Sequence, residues 1–461
     1  MPQDNAAREC FVRLLLVLGV TLGSLVDLSG VDTPERVFVL LVMLAGVAAA
    51  MPGGTPKVTG ARAMALWLFV TLTAVSYVRF GLAPIAPFTS RSIYGLAAML
   101  VLATGFAYCA LLAPMSPALQ RTRRRCALFG PVVFTEVNLL LYVGGFKLPT
   151  DATQGTTTAN PAEILGWLGI HANRVSFPLS PGVNGAGVAA AVSLVICVLL
   201  TRGAQRSTCR WPLAGAVASL AVILLADSRG ALVFAILAVV LSSIHVRRAA
   251  ARVLPVTLVF APAIILFVVG HLGSLTPTLS RTPGDFVTAT GRETIWDNVV
   301  RFLSQAHVQD LFGYGAYGQT RTGIGWQDAY LFPGQQYPEF FSVHSLALQT
   351  ILDSGWIGLG VLVWFLSVAL SAALRADWER RTPESVALLG ALMMLVLGGS
   401  DEALPGVAGF YLMISLVTLG TAAMCASMVN ARLPEWRTAH VLPVVASSHV
   451  VPNARSVARS R

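Results

Sequence analysis

The side chain with the widest chemical range in this chain is His344. It stands where a long polar stretch gives way to an apolar run that begins at Leu346. An imidazole can take or give a proton near neutral pH, and an ionisable group at the edge of a membrane is costly enough to imply a function. Arginines form the second set. Arg229 lies in Ala226-Asp-Ser-Arg-Gly230, between two apolar runs with no room for a loop. It is therefore either a cation held for a substrate or, with Asp227, the neutralised pair of a tight turn. Arg292 lies in Thr290-Gly-Arg-Glu293, which reads as a capping box and puts the arginine in the first turn of a helix. Unpaired N–H groups and the positive dipole end gather there and favour an anion, although the residue alone reads more readily as a surface arginine. Arg174 and Asn184 flank the Pro- and Gly-containing stretch Val175–Val183, and Arg321 is a further basic residue in a polar segment. Alone, Arg174 reads as a snorkelling cation at a helix start. Glu136 and Asp353 fall inside apolar runs, where lining a cavity and pairing with a neighbouring helix are equally open.

Composition dictates what must position these groups. The chain is 55% hydrophobic and 12% charged, with a mean hydropathy of +0.70, whereas soluble domains carry about 25% charged residues. Apolar runs that suit a ~30 Å hydrocarbon layer recur near 11–31, 36–51, 63–82, 92–113, 127–146, 186–201, 212–227, 229–246, 252–270, 345–374, 384–400 and 405–428. The expectation is an all-α polytopic membrane protein of about 12 transmembrane helices forming one integral membrane domain over 1–461. The seventh and eighth runs are nearly continuous, so their division is open. Arg8–Val31 is read as the first span and not as a cleaved leader, because further spans follow it. Most of the 32 Lys and Arg, including Arg121, Arg123, Arg124 and Arg125, fall in alternate short loops and in the 429–461 tail. By the positive-inside rule those segments and both termini are cytoplasmic. The net charge of +10 is thus a topology signal; the arginines are dispersed and form no nucleic-acid face. None of the six cysteines falls in an external loop and no CxxC occurs, so neither a disulfide framework nor a thiolate metal site is expected.

Two external loops, 147–185 and 271–343, exceed the length of mere connectors. The second should contain an interfacial helix, since Trp296, Val299, Val300 and Leu303 recur at helical spacing after Thr290. Gly313-Tyr-Gly-Ala-Tyr-Gly318 fits GxGxxG, but that pattern needs a preceding strand and a βαβ unit, so it is read as a close-packing loop. P-loop, HExxH, GxSxG and EF-hand patterns are missing, and no Asp-x-Asp pair is available for a metal-bound sugar nucleotide. Metal-free chemistry is expected.

The ordered set Ser228-Arg-Gly-Ala231, Gly291-Arg-Glu-Thr-Ile-Trp296, Gly313-Tyr-Gly315 and His344-Ser-x-x-Leu-Gln-x-x-x-Asp-x-Gly-x-x-Gly-Leu359 resembles the O-antigen ligase and polymerase superfamily over roughly residues 165–400. Ser345 departs from it, since many relatives have Asn after the histidine. The resemblance implies a C-type glycosyltransferase architecture with its site on the periplasmic face of a Gram-negative inner membrane. It implies transfer of O-antigen from undecaprenyl pyrophosphate to lipid A–core, with no cofactor. By motif, His344 matches the family's essential histidine, and Arg229 and Arg292 its essential arginines. The implied chemistry is His344 as base towards the acceptor hydroxyl. Arg229 and Arg292 would take the place of a divalent metal on the pyrophosphate, with Arg174, Arg321 and Asn184 as secondary substrate contacts. A single inverting displacement is expected, as no nucleophilic carboxylate is placed beside His344.

Two other readings remain open. An O-antigen polymerase would use the same donor with a lipid-linked glycan as acceptor. A transporter would depend on midplane Glu136 and tolerate loss of His344, but no inverted repeat is visible.

Overall fold

The computed structural model describes residues 2–28, 34–51, 60–112, 115–146, 161–167, 169–180, 183–202, 210–243, 257, 292–331, 337–380, 382–399 and 409–431. Among them there is no β-strand, only isolated bridges joining Pro161 to Asn173 and Phe177 to Ser180. The helices of the first half are α1 Pro2–Leu28, α2 Pro34–Ala50, α3 Ala61–Leu82, α4 Ser90–Leu112 and α5 Pro117–Val143. A short α6 Glu163–Trp167 precedes α7 Val183–Thr201, α8 Arg210–Ala226 and α9 Arg229–Ser243. Then come α10 Arg292–Leu303, the short α11 Gly318–Arg321 and α12 Ile324–Asp328, and finally α13 Leu346–Arg380, α14 Pro383–Gly398 and α15 Phe410–Ala431.

Helices α3, α4, α5 and α7, with the Leu346–Ala376 part of α13, are long and apolar enough to cross a membrane. Five further apolar helices, drawn from α2, α8, α9, α14 and α15, are shorter. In lipid each backbone N–H and C=O must be satisfied within its own segment, which leaves the helix as the solution for such runs. Their outward faces stay apolar: Phe38, Leu41, Val217, Val233 and Ile236 are all exposed. Helices apolar all round belong in a core or in lipid, so the chain is a multi-pass membrane protein. The expected span at 252–270 lies outside the described residues apart from Thr257, as do 147–160, 271–291 and the tail beyond 431.

The seventh and eighth apolar runs are divided. Asp227 takes a left-handed conformation with φ 50°, ending α8 and letting α9 start at Arg229. Around this point α7 packs on α8, α9 and α14, while α13 packs on α3, α14 and α15. The helix ends carrying the candidate residues meet in sequence. A Cβ at Gly187 of α7 would lie 2.2 Å from that of Ser228, and one at Gly398 of α14 would lie 2.7 Å from Val188. The carbonyl of Gly399 then accepts the Leu346 N–H at 2.7 Å. Arg229 and His344 thus lie at the same end of the bundle, joined through the ends of α7 and α14.

Candidate active site

His344 is fixed through its backbone. The residue before it is gripped from both sides: Trp296 Nε1 of α10 donates to the Val343 carbonyl at 2.7 Å, and the Val343 N–H donates to Gln349 Oε1 at 3.2 Å. Val343 is buried with Ile295, Val299, Ile324 and Leu352 in a small separate core beneath α10. Downstream, Ser345 caps α13, its Oγ accepting the Leu348 N–H at 3.4 Å. Ser and Asn are about equal as N-caps, so the departure at this position keeps the local geometry. His344 is held between these anchors at φ 49°, a left-handed conformation that costs an L-residue about 1–2 kcal/mol. The Ser342 hydroxyl accepts its N–H at 3.4 Å, and its side chain is half-buried.

Gln349 is itself set by a buried amide chain. Its Nε2 donates to Gln319 Oε1 and to Asp353 Oδ1, both at 2.8 Å, and Gln319 Nε2 donates to the Phe341 carbonyl at 3.1 Å. Asp353 also accepts the Gly318 N–H at 2.9 Å. Of the two readings open for Asp353, pairing is the one observed, with the Gly318 N–H at the start of α11 and with Gln349 of its own helix.

The GxGxxG loop is the counterpart of a break in α13. Gly355 leaves the helical conformation at φ 76°, which frees carbonyls one turn upstream. Tyr314 N–H donates to Leu352 O at 2.7 Å and Gly315 N–H to Asp353 O at 3.0 Å, so the loop supplies the donors that the helix has lost. Contact is too close for side chains: a Cβ at Gly313 would lie 2.4 Å from the Ser354 nitrogen and one at Gly318 2.4 Å from Leu352 O. On its far side the loop seats on α3, where Arg79 Nη1 donates to Phe312 O at 2.9 Å. Tyr317, Phe88 and Phe340 form an aromatic cluster over Phe80.

Arg292 is the first residue of α10, the 12-residue helix whose Trp296 grips the carbonyl before His344. The cap expected from Thr290 and the Glu293 side chain falls outside the described residues. The apolar face is rotated from expectation. Ile295 and Val299 are buried, while Val300 is 56% exposed, because the stripe at 295, 299 and 302–303 turns Val300 outwards. Arg321 does different work from a substrate contact. Its Nη2 donates to the carbonyls of Ala83 at 2.7 Å and Phe80 at 3.2 Å, capping α3, while its guanidinium lies 5.3 Å over the Phe80 ring. Burial, and then neighbouring Arg79, pull its pKa down.

Arg229 sits in a second constellation. It donates to Glu163 Oε2 at 2.5 Å, lies 3.6 Å from Asp227 Oδ2 and covers the Trp167 ring at 5.4 Å. Asp227 is buried and accepts the Ile164 N–H at 3.1 Å, so the pair expected within the turn is widened into a triad by α6. Arg174 is buried and donates to Ala226 O at 3.1 Å, while the Val175 N–H donates to Leu225 O. Together they staple the first loop to the end of α8. Asn184 lies half-buried in the first turn of α7. Glu136 is remote from this end, with Oε1 3.3 Å from where a Cβ at Gly215 would stand.

Sequence reasoning missed Glu163, Trp296, Gln319 and Gln349 as groups that hold the site. Gln349 had a signal, since it falls within the resemblance motif; Glu163 had none. Residues 214–363 match the family model described as O-antigen ligase. The matched stretch contains Arg229, Arg292, Arg321 and His344, and leaves Glu163, Arg174 and Asn184 outside it. No curated protein matches the chain. The similarity to the O-antigen ligase family is carried by residues 214–363.

Proposed function

We propose that the protein is an O-antigen ligase, moving O-antigen polysaccharide from undecaprenyl pyrophosphate to a sugar hydroxyl of lipid A–core at the periplasmic face of a Gram-negative inner membrane. The observation that carries the reading is the doubly gripped Val343 backbone. One grip comes from the helix that Arg292 opens and the other from Gln349 of the His344 motif. A general base is useful only when held within hydrogen-bond reach of its proton, and a strained histidine fixed by buried amides fits that requirement.

In this reading His344 removes the acceptor proton as the hydroxyl attacks the anomeric carbon, and the lipid pyrophosphate leaves with inversion. Arg229 and Arg292 stabilise the charge growing on the leaving phosphate; preoriented cations in a poorly hydrated site are the strongest such devices. Guanidinium suits this because its planar fork takes two phosphate oxygens and keeps its proton. Donor binding then exchanges the Glu163 contact of Arg229 for a phosphate oxygen. The structure gives Arg174 and Arg321 backbone partners, so Asn184 is the more natural of the secondary contacts.

Deleting the gene in its host and complementing with wild type or His344→Ala tests the reading. Core without O-units, with lipid-linked polymer accumulating, supports a ligase. Core capped by a single O-unit means a polymerase. An unchanged ladder in a host without a redundant enzyme removes both readings and returns the chain to the transporter class.

A further inference from the structure

Beside Arg229 the first long loop forms an open cavity of about 520 Å³ lined by Glu163, Trp167, Ile170, His171 and Asn173 among others. Its walls are built and not incidental. Ala162 N–H donates to Ala172 O at 2.8 Å and Ile170 N–H to Leu165 O at 2.9 Å, tying residues 162–167 to 169–172. Ile164 and Leu165 are buried, and the Ile164 N–H is tied to Asp227. On this framework Trp167 remains 59% exposed. The Arg229 guanidinium covers one ring face, which leaves the other to a flat apolar surface. Around the ring stand an acceptor in Glu163, a two-way partner in His171 and an amide in Asn173 that both donates and accepts.

We infer that this cavity is a sugar subsite, in which the C–H face of a pyranose stacks on Trp167 while Glu163, His171 and Asn173 bind its hydroxyls. A concave site with one aromatic wall and a few convergent polar groups is the general form of a small-ligand pocket. A sugar presents both an apolar face and a rim of hydroxyls that require donors and acceptors together. The position of Arg229 at its edge makes the occupant a sugar next to a phosphate. That chemistry fits the first sugar on a lipid pyrophosphate and equally a phosphorylated sugar of the acceptor core. The inference rests on the ligase reading for its choice of sugars, but not for its geometry.

The test uses the full-length protein in lipid nanodiscs and three probes: farnesyl pyrophosphate, farnesyl pyrophosphate bearing one N-acetylhexosamine, and core oligosaccharide freed of lipid A. Trp167→Leu keeps an apolar side chain and removes the stacking ring; Trp167→Phe keeps a ring. The expected result is about tenfold weaker binding of one sugar-bearing probe to Trp167→Leu, equivalent to about 1.4 kcal/mol, with farnesyl pyrophosphate unchanged and Trp167→Phe close to wild type. Loss confined to the glycosylated lipid assigns the subsite to the donor; loss confined to the oligosaccharide assigns it to the acceptor. Unchanged binding of both sugar-bearing probes overturns the subsite, as does equal loss of all three, which would make Trp167 a membrane-interface anchor. Failure of the ligase reading looks different: neither pyrophosphate lipid binds wild type, while any dependence of the oligosaccharide on Trp167 survives.

Discussion

Trp296→Phe removes one N–H from the molecule and leaves the packing of α10 on its small core intact. The lost bond, 2.7 Å long, ends on the carbonyl of Val343, which is 1% exposed. Leaving such a buried acceptor unmade costs about 1–3 kcal/mol. The next residue, His344 at φ 49°, already opposes its own conformation by about 1–2 kcal/mol. Release of the peptide therefore relieves strain and restores hydration together. Depopulation of the gripped state by about 1–3 kcal/mol lowers kcat between about fivefold and a hundredfold, at about 1.4 kcal/mol per tenfold. KM for the donor lipid should not move, because the arginines proposed to bind its phosphates are untouched. The assay is transfer of a lipid-pyrophosphate-linked glycan to lipid A–core in nanodiscs, with Trp326→Phe at an exposed position as control. Full kcat with a lowered melting temperature would refute the reasoning, since the bond would then hold the fold and not the histidine; a change confined to KM would refute it equally.

Gly355→Ala should abolish stable protein, because the residue sits at φ 76° and its Cβ would lie 2.2 Å from Leu311 O; detergent-solubilised yield and melting temperature read this directly. Arg321→Gln should lower the melting temperature by uncapping α3, where charged hydrogen bonds contribute about 1.5–3 kcal/mol each, while leaving KM for the donor unchanged. A donor KM raised tenfold at unchanged stability would restore Arg321 as a phosphate contact. Burial raises the pKa of Asp328 against the lowering bond from Asn298. Its contribution to stability is therefore fully present below the unfolded carboxylate value of about 3.9 and is lost as pH rises through the raised folded value. Asp328→Asn should flatten that slope in acid-range melting curves and should not destabilise at neutral pH; a steeper slope would contradict the assignment.

The bundle and its chemistry were legible to different depths. Long apolar runs announce helices because lipid leaves the backbone no other partner, and Asp227 was legible as the partner of Arg229 because the two share one turn. Trp296 and Val343 are 47 residues apart, and Arg229 and Glu163 are 66 apart; no local pattern predicts such pairs. Arg321 looked like a free external cation because nothing near it in the chain reveals that it ends against α3, 241 residues away. The glycine loop was readable as close-packing but not as the complement of a broken helix, since that role depends on which α13 carbonyls Gly355 releases. Val300 misled because three apolar neighbours at helical spacing do not say where the stripe is centred.

The most direct test is a reconstituted transfer with purified protein, lipid-pyrophosphate-linked O-antigen and lipid A–core, comparing wild type with His344→Ala. The account predicts product from wild type and a rate lower by about 10²–10⁴-fold in the variant, the usual contribution of a positioned base, with donor binding retained. Product formed at the wild-type rate by His344→Ala would contradict it.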